Sequence, residues 1–169
     1  MIEATIDNVV KKIREASELY YKLVLVVGPA GSRKTEILRK VAAVTSAPFI
    51  NINLELSSRM LDMTERQRIL QLSSLLDQII AEYSTDLILL DNTEILFDVR
   101  LKHDPLRLLQ KLSRNRTVVA SWNGAIVDNY ITYAIPGHPE YRKYPITDFL
   151  VINLTQSKNY EQEEQNGHT

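Results

Sequence analysis

The stretch that decides the fold reads Leu23-Val24-Leu25-Val26-Val27-Gly28-Pro29-Ala30-Gly31-Ser32-Arg33-Lys34-Thr35. Its apolar start predicts a buried β-strand, and the helical spacing of apolar residues after Thr35 predicts an α-helix directly behind the loop. A strand, a glycine-bearing loop, a lysine–threonine pair and a helix are the layout of a phosphate-binding P-loop. Successive backbone N–H groups and a helix N-terminus form a concave site for a polyphosphate. We therefore expect this segment to bind a nucleotide.

Each residue type in the loop has a physical role. The residues expected to bind the nucleotide are Gly28, Pro29, Ala30, Gly31, Ser32, Arg33, Lys34 and Thr35. Lys34 would bring a positive charge to the β- and γ-phosphates and Thr35 would offer its hydroxyl to Mg²⁺, so ATP and Mg²⁺ are the expected cofactors. Arg33 departs from the motif, which has glycine at this position. Arginine takes a positive φ only at a cost, so Arg33 either adds charge at the site or weakens it.

The composition is that of an ordinary globular domain. The chain has 169 residues, of which 44% are hydrophobic and 24% charged, and its net charge is −1. That charge does not indicate nucleic acid or an anionic membrane as a partner, although a local basic face that contacts DNA stays open. The absence of cysteine excludes disulfides, zinc–thiolate sites and thiol catalysis. Because the N-terminus does not resemble a signal peptide and no apolar run reaches about 18 residues, we expect a cytoplasmic protein outside the membrane.

The order of the predicted elements indicates an α/β architecture. We expect one P-loop domain over residues 1–155 and a polar tail over 156–169, which is predicted to be disordered. The predicted helices cover 4–20, 34–44, 64–83 and 105–113, and the predicted strands cover 23–27, 48–54, 87–90, 117–121 and 149–154, with a long loop or hairpin over 124–147. This alternation predicts a three-layer sandwich, in which a five-stranded parallel sheet has helices on both faces. No helical pattern follows the last strand, so we expect no C-terminal lid domain.

A second motif follows the apolar run 87–90, which ends at Asp91. A carboxylate at the tip of a strand next to the P-loop strand can hold the Mg²⁺ shell, so Thr35 and Asp91 are the predicted metal residues. Alternatively, Asp91 is a loop aspartate that caps a turn and binds no metal. Many such ATPases have glutamate next, whereas this chain has Asn92, which can orient a water but cannot take its proton. Glu94 either reaches the site as the base or is a solvated residue at a helix start.

Two further positions are candidates for catalysis. Asn123, at the end of the strand predicted over 117–121, would face the γ-phosphate and the attacking water; alternatively, Asn123 and Gly124 only form a turn. A basic residue would act as an arginine finger, which stabilises transition-state charge and is often supplied by a neighbouring subunit. The candidates are Arg100, Arg107, Arg114, Arg116, Arg142 and Lys143. Most surface arginines are merely solvated, and Arg142, just before the last strand, is the best placed of the set.

Taken together, these motifs resemble those of the AAA+-like branch of P-loop ATPases. The resemblance spans about residues 22–154, and the motifs that carry it are Gly28 to Thr35, Leu87 to Asn92, and Val118 to Asn123. It implies the P-loop NTPase fold with the strand order 5-1-4-3-2. It also implies a homo-oligomer, since such domains often work as rings.

Several segments are more specifically similar to BrxF, the family of small P-loop proteins of BREX phage-defence systems. They are Tyr20-Tyr21-Lys22-Leu23-Val24-Leu25, Ile50-Asn51-Ile52-Asn53-Leu54-Glu55-Leu56, Leu90-Asp91-Asn92-Thr93-Glu94-Ile95-Leu96-Phe97, Asp104-Pro105-Leu106-Arg107-Leu108-Leu109, Ser113-Arg114-Asn115-Arg116-Thr117 and Pro136-Gly137-His138-Pro139-Glu140-Tyr141. This resemblance implies a role in bacterial or archaeal antiviral defence. It also implies other BREX proteins as partners, including a methyltransferase and larger ATPases.

Three functions remain open from the residues. The first is an ATPase whose hydrolysis drives changes in a defence complex, favoured by Asp91, Asn123 and the finger candidates. The second is a nucleotide-gated adaptor that hydrolyses little, favoured by Arg33 and Asn92. The third is a small-molecule kinase, which needs an arginine-rich lid over an acceptor pocket, and residues 124–147 offer at most a weak one.

Overall fold

The computed structural model describes residues 2–154. Its helices are α1 (Ile2–Ala16), α2 (Lys34–Thr45), α3 (Ile52–Met60), α4 (Glu65–Ala81) and α5 (Pro105–Leu112), with short 3₁₀ turns at Thr93–Phe97 and Val99–Leu101. Its strands are β1 (Leu23–Gly28), β2 (Phe49–Asn51), β3 (Leu87–Asp91), β4 (Thr117–Val127), β5 (Tyr130–Tyr133), β6 (Arg142–Pro145) and β7 (Leu150–Asn153). The tail predicted to be disordered, 156–169, lies outside the described residues.

The sheet confirms the predicted parallel α/β architecture but has more strands than expected. Its main path runs β2-β3-β4-β1-β7, and every neighbouring pair along it is parallel. From β7, the path agrees with the order 5-1-4-3-2, where β7 is the fifth predicted strand. The five predicted strands are all present, but the sheet has seven strands in all, because β4 continues into an antiparallel extension with β5 and β6.

A tight turn produces this extension. Asp128 and Asn129 connect β4 to β5 with φ values of 48° and 64°. Two-residue hairpin loops favour positive φ at both positions because the resulting twist matches that of the strands, and Asp and Asn tolerate that conformation. The hairpin alternative for residues 124–147 is therefore the observed one.

The second predicted strand, 48–54, is a further correction. Only Phe49–Asn51 forms a strand, and α3 begins at Ile52. The Asn51 side chain accepts a hydrogen bond from the backbone N–H of Leu54 at 3.0 Å. This N-cap satisfies a free N–H of the first helical turn, so a helix competes successfully with a longer strand.

The sheet has helices on both faces, as predicted. Alternate β1 residues supply the two sides, since side chains along a strand point in opposite directions. Val24 and Val26 pack with buried residues of α1 and α2. Leu23 and Leu25 pack on the other side with buried residues of α3, α4 and α5. Among residues 2–154, no helix is long and apolar enough to cross a membrane.

Candidate nucleotide-binding site

The site lies where β1 and β3 end and where β4, the strand between them, passes from parallel to antiparallel pairing. β1 ends at Gly28, β3 ends at Asp91, and Asn123 pairs with Gly28 from within β4 and not from a turn. β3 is therefore not the direct neighbour of β1 that the sequence led us to expect. In open parallel α/β sheets, ligands bind outside the carboxyl ends of the strands. The predicted site residues from three distant parts of the sequence therefore lie at one edge.

The P-loop follows β1 and leads directly into α2, as the sequence predicts. Gly31 has φ 80°, and Arg33, the residue before α2, has φ 68° and ψ 22°. Arg33 therefore adopts the left-handed conformation that a glycine would take without strain. Its Nε contacts Glu36 Oε2 at 2.8 Å, and this hydrogen bond is the main cause that lowers the pKa of Glu36. The Arg33 side chain is 63% exposed and so remains at the mouth of the site.

Gly28 is required by a close approach within the loop. A Cβ at this position would lie 2.5 Å from Ser32 Oγ and 3.2 Å from the Cβ of Leu154. If the Ser32 side chain rotated away, it would lose the hydrogen bond that its hydroxyl donates to the Pro29 carbonyl at 2.6 Å. The first glycine of the motif thus allows the loop to fold over its own serine.

The Lys34 ammonium group is held inside the loop. Its Nζ donates to the carbonyl oxygens of Gly28 at 2.9 Å and Pro29 at 2.7 Å, and to Ser32 Oγ at 3.2 Å. Only 7% of Lys34 is exposed. A phosphate oxygen would offer the ammonium a charged partner in place of neutral carbonyls, and charge-assisted hydrogen bonds are about twice as strong as neutral ones.

Thr35 and Asp91 meet at the start of α2. The Thr35 hydroxyl donates to Asp91 Oδ2 at 2.6 Å, although 56 positions separate the two residues in the sequence. Asp91 is only 3% exposed. One hydroxyl and one carboxylate suit Mg²⁺, which prefers oxygen ligands and usually keeps several waters beside phosphate oxygens. Among residues 2–154, no group of three or more His, Cys, Asp or Glu side chains could hold a metal ion.

The structure also brings Glu94 and Asn123 together. Asn92 has φ 53° and ψ 53°, and this left-handed residue turns the chain at the end of β3 into the 3₁₀ turn that begins at Thr93. Asn123 Nδ2 then donates to Glu94 Oε1 at 2.6 Å. Glu94 thus lines the cavity from the start of a 3₁₀ turn, and its role as the base stays a prediction.

These residues share one cavity of about 730 Å³, a size within the range of small-molecule sites. Its lining residues are Ala30, Gly31, Arg33, Lys34, Thr35, Glu36, Arg39, Lys40, Asp91, Asn92, Glu94 and Asn123. Sequence reasoning missed Glu36, Arg39 and Lys40. A signal was available for Arg39, because it follows Thr35 by one helical turn and must share its face of α2. The guanidinium of Arg39 lies 4.7 Å from the centre of the Phe49 ring.

The structure does not bring Arg142 to the cavity of its own chain. Arg142 lies on β6 of the antiparallel extension, and its Nη2 donates to the backbone carbonyl of His103 at 3.3 Å. Arg100 and Arg116 are also engaged locally: Arg100 contacts Asp98 at 2.8 Å and Arg116 donates to two carbonyls. A finger function of Arg142 toward a second subunit stays a prediction.

No protein-family model matches the chain, and no curated protein matches it. Among solved structures, PCH-2 of C. elegans is similar, with a TM-score of 0.47 and 17% sequence identity over 72% of this chain and 37% of that chain. The chain therefore spans well under half the length of that protein. A similarity of this size assigns neither a family nor an activity.

Proposed function

We propose that this chain binds ATP with Mg²⁺ through residues 28–35 and hydrolyses it to ADP and phosphate. The observation that carries the proposal is the 2.6 Å hydrogen bond from Thr35 to Asp91 at the end of the P-loop. A threonine hydroxyl and a strand-tip carboxylate are the protein groups that hold Mg²⁺ in P-loop NTPases. Lys34, Glu94 and Asn123 line the same cavity, so groups for charge neutralisation and for proton transfer lie beside the metal pair.

Each group of the site would have its own role in the hydrolysis of ATP. Lys34 would exchange the loop carbonyls for β- and γ-phosphate oxygens, and the N-terminus of α2 would direct backbone N–H groups at the phosphates. Glu94 would accept a proton from the attacking water, since Asn92 has no group that can do so. Asn123 would orient the Glu94 carboxylate through the existing hydrogen bond. Bound Mg²⁺ would neutralise charge that develops on the phosphate oxygens.

Calorimetry with Mg²⁺ and ATP tests the binding step. Lys34→Ala should weaken binding by about 2 kcal/mol or more, the scale of hydrogen bonds to charged groups. Lys12→Ala is the matched control, because Lys12 is a lysine of α1 whose ammonium contacts Glu15 at 3.4 Å and does not line the cavity. Equal affinity for Lys34→Ala and wild type would contradict the proposed binding site.

Steady-state phosphate release tests hydrolysis. Asp91→Ala should abolish the Mg²⁺-dependent rate, and Glu94→Gln should reduce it by about 10²-fold or more, the usual contribution of a positioned base. If Asp91→Ala hydrolyses ATP as fast as wild type, the assignment of Asp91 to the metal is wrong. An unchanged rate in Glu94→Gln would leave the water to Asn92 or to a neighbouring subunit.

A nucleotide-gated adaptor is the second candidate. The left-handed Arg33 and the placement of Asn92 after Asp91 favour it, because neither feature promotes turnover. The two candidates differ in a single comparison. Tight ATP binding without phosphate release, both alone and with partner proteins or DNA, supports the adaptor, whereas release above the Asp91→Ala background supports the ATPase.

We further propose that the protein acts in the cytoplasm as part of a BREX-type phage-defence complex, as a homo-oligomer or with other BREX proteins. The support is the resemblance of its segments to BrxF. Two of these segments lie in connections, where binding residues are often found: residues 113–116 of the first connect α5 to β4, and residues 136–141 lie between β5 and β6. Phage plating efficiency on a host with the complete defence system should rise to the undefended level with Lys34→Ala. Full protection by that variant would contradict a nucleotide-dependent role.

A further inference from the structure

The turn after β3 contains a buried threonine, Thr93, that does not line the cavity, whereas its neighbours Asn92 and Glu94 do. Thr93 is 1% exposed, and its hydroxyl donates to the backbone carbonyl of Ser121 at 2.6 Å. The last pair in the register of β3 and β4 is Leu90 with Ala120, one residue before Ser121. The Thr93 hydroxyl therefore ties the two segments together at the point where the strand pairing stops.

This tether lies directly beside the proposed catalytic pair. Glu94 follows Thr93 in the chain, and Asn123 lies two residues beyond Ser121 on β4. The Glu94 carboxylate and the Asn123 amide meet at 2.6 Å. A bond that fixes Thr93 against Ser121 thus sets the distance across which Glu94 must reach Asn123.

The backbone here does not hold this geometry by itself. Asn92 is in the left-handed region, and the following turn is a 3₁₀ helix from Thr93 to Phe97, whose hydrogen bonds are poorer than those of an α-helix. A side-chain bond at its first residue restricts where the turn can sit. We propose that Thr93 is a positioning residue, which holds Glu94 in place for proton transfer through its bond to Ser121. The proposal rests on the proposed hydrolysis of ATP, in which Glu94 is the base.

Kinetics of conservative variants test this role. Thr93→Val has nearly the same shape but lacks the hydroxyl, and it should lower kcat by about tenfold to a hundredfold, because small misplacements of a catalytic group cost this much. KM for ATP should stay unchanged, since Thr93 does not line the cavity. Thr93→Ser retains a hydroxyl and should restore most of the rate. A wild-type kcat in Thr93→Val, or no recovery in Thr93→Ser, would overturn the proposal.

Two controls separate positioning from general stability. In a Glu94→Gln background, Thr93→Val should cause no further loss of kcat, because its effect passes through the Glu94 carboxylate. An equal loss in both backgrounds would overturn the proposal. Thr85→Val removes another threonine-to-carbonyl bond, from Thr85 to Leu87 at 2.9 Å at the opposite end of β3, and should leave kcat unchanged. A comparable loss in Thr85→Val would mean that any damage to β3 slows the reaction.

A readout that needs no turnover keeps this inference distinct from the proposed function. One of the two side-chain amide protons of Asn123 should give an NMR signal shifted downfield from that of a solvated amide in nucleotide-free wild type and in Thr93→Ser, since it bonds to Glu94. In Thr93→Val the two amide signals should move toward the values of a solvated amide. If they move as expected but wild type releases no phosphate, the ATPase function fails while the tether stands. If they do not move, the tether does not position Glu94.

Discussion

Replacing Arg33 by glycine and by alanine would measure the strain at the unusual position of the P-loop. With φ at 68°, Arg33 lies in the left-handed region, which costs a residue other than glycine about 1–2 kcal/mol. Glycine avoids this cost but loses about 0.5–1 kcal/mol more than alanine through backbone entropy. Both variants lose the exposed contact of Arg33 with Glu36, so its contribution cancels. Arg33→Gly should therefore be more stable than Arg33→Ala, by up to about 1.5 kcal/mol.

Urea unfolding of both variants measures this difference, and unequal denaturant slopes would signal a change in the unfolded state. The matched control is Lys40, which lies within α2, has no positive φ and contacts the same Glu36 at 3.6 Å. At this position the difference in unfolding free energy should have the opposite sign, and Lys40→Gly should be about 1 kcal/mol less stable than Lys40→Ala. If Arg33→Gly is less stable than Arg33→Ala, as at Lys40, the loop carries no left-handed strain and this reasoning is refuted.

Three other predictions follow from contacts in and around the site. Gly28→Ala should destabilise the fold by about 1–3 kcal/mol, because its Cβ would meet Ser32 Oγ at 2.5 Å, and thermal unfolding should show partial recovery when Ser32→Ala is added. Ser121→Ala should raise the free energy of unfolding by about 1 kcal/mol. The reason is that the Ser121 hydroxyl is buried without a hydrogen-bond partner among the described residues. A destabilised variant would mean that this hydroxyl has a partner. ATP should promote a homo-oligomer in light scattering, and Arg142→Ala should reduce its ATPase rate but not the ATP affinity of a dilute monomer; equal rates would exclude Arg142 as the finger.

Much of the architecture was predictable because it depends on local patterns. Apolar runs and helical spacing indicated the parallel strands and most helices, and the capping sequence before α4 appears in the structure as a complete capping box between Thr64 and Gln67. The second strand was predicted too long, because the Asn51 cap begins α3 and ends β2 early. For residues 124–147 the sequence left a loop and a hairpin open, and the positive φ values at Asp128 and Asn129 belong to the hairpin that forms.

The sequence by itself determined the groups predicted to bind phosphate and metal, although not every residue that lines the cavity. Lys34, Thr35 and Asp91 stand in motifs whose residue types are required by phosphate and metal chemistry, and these motifs are visible without a structure. Only the tertiary structure decided which groups meet. Asn123 and Glu94 are 29 positions apart, and their contact depends on parallel strand register and on the left-handed turn at Asn92, neither of which a local pattern encodes. Sheet register arises from packing of the whole core, so it sets distances between side chains that sequence spacing leaves undetermined.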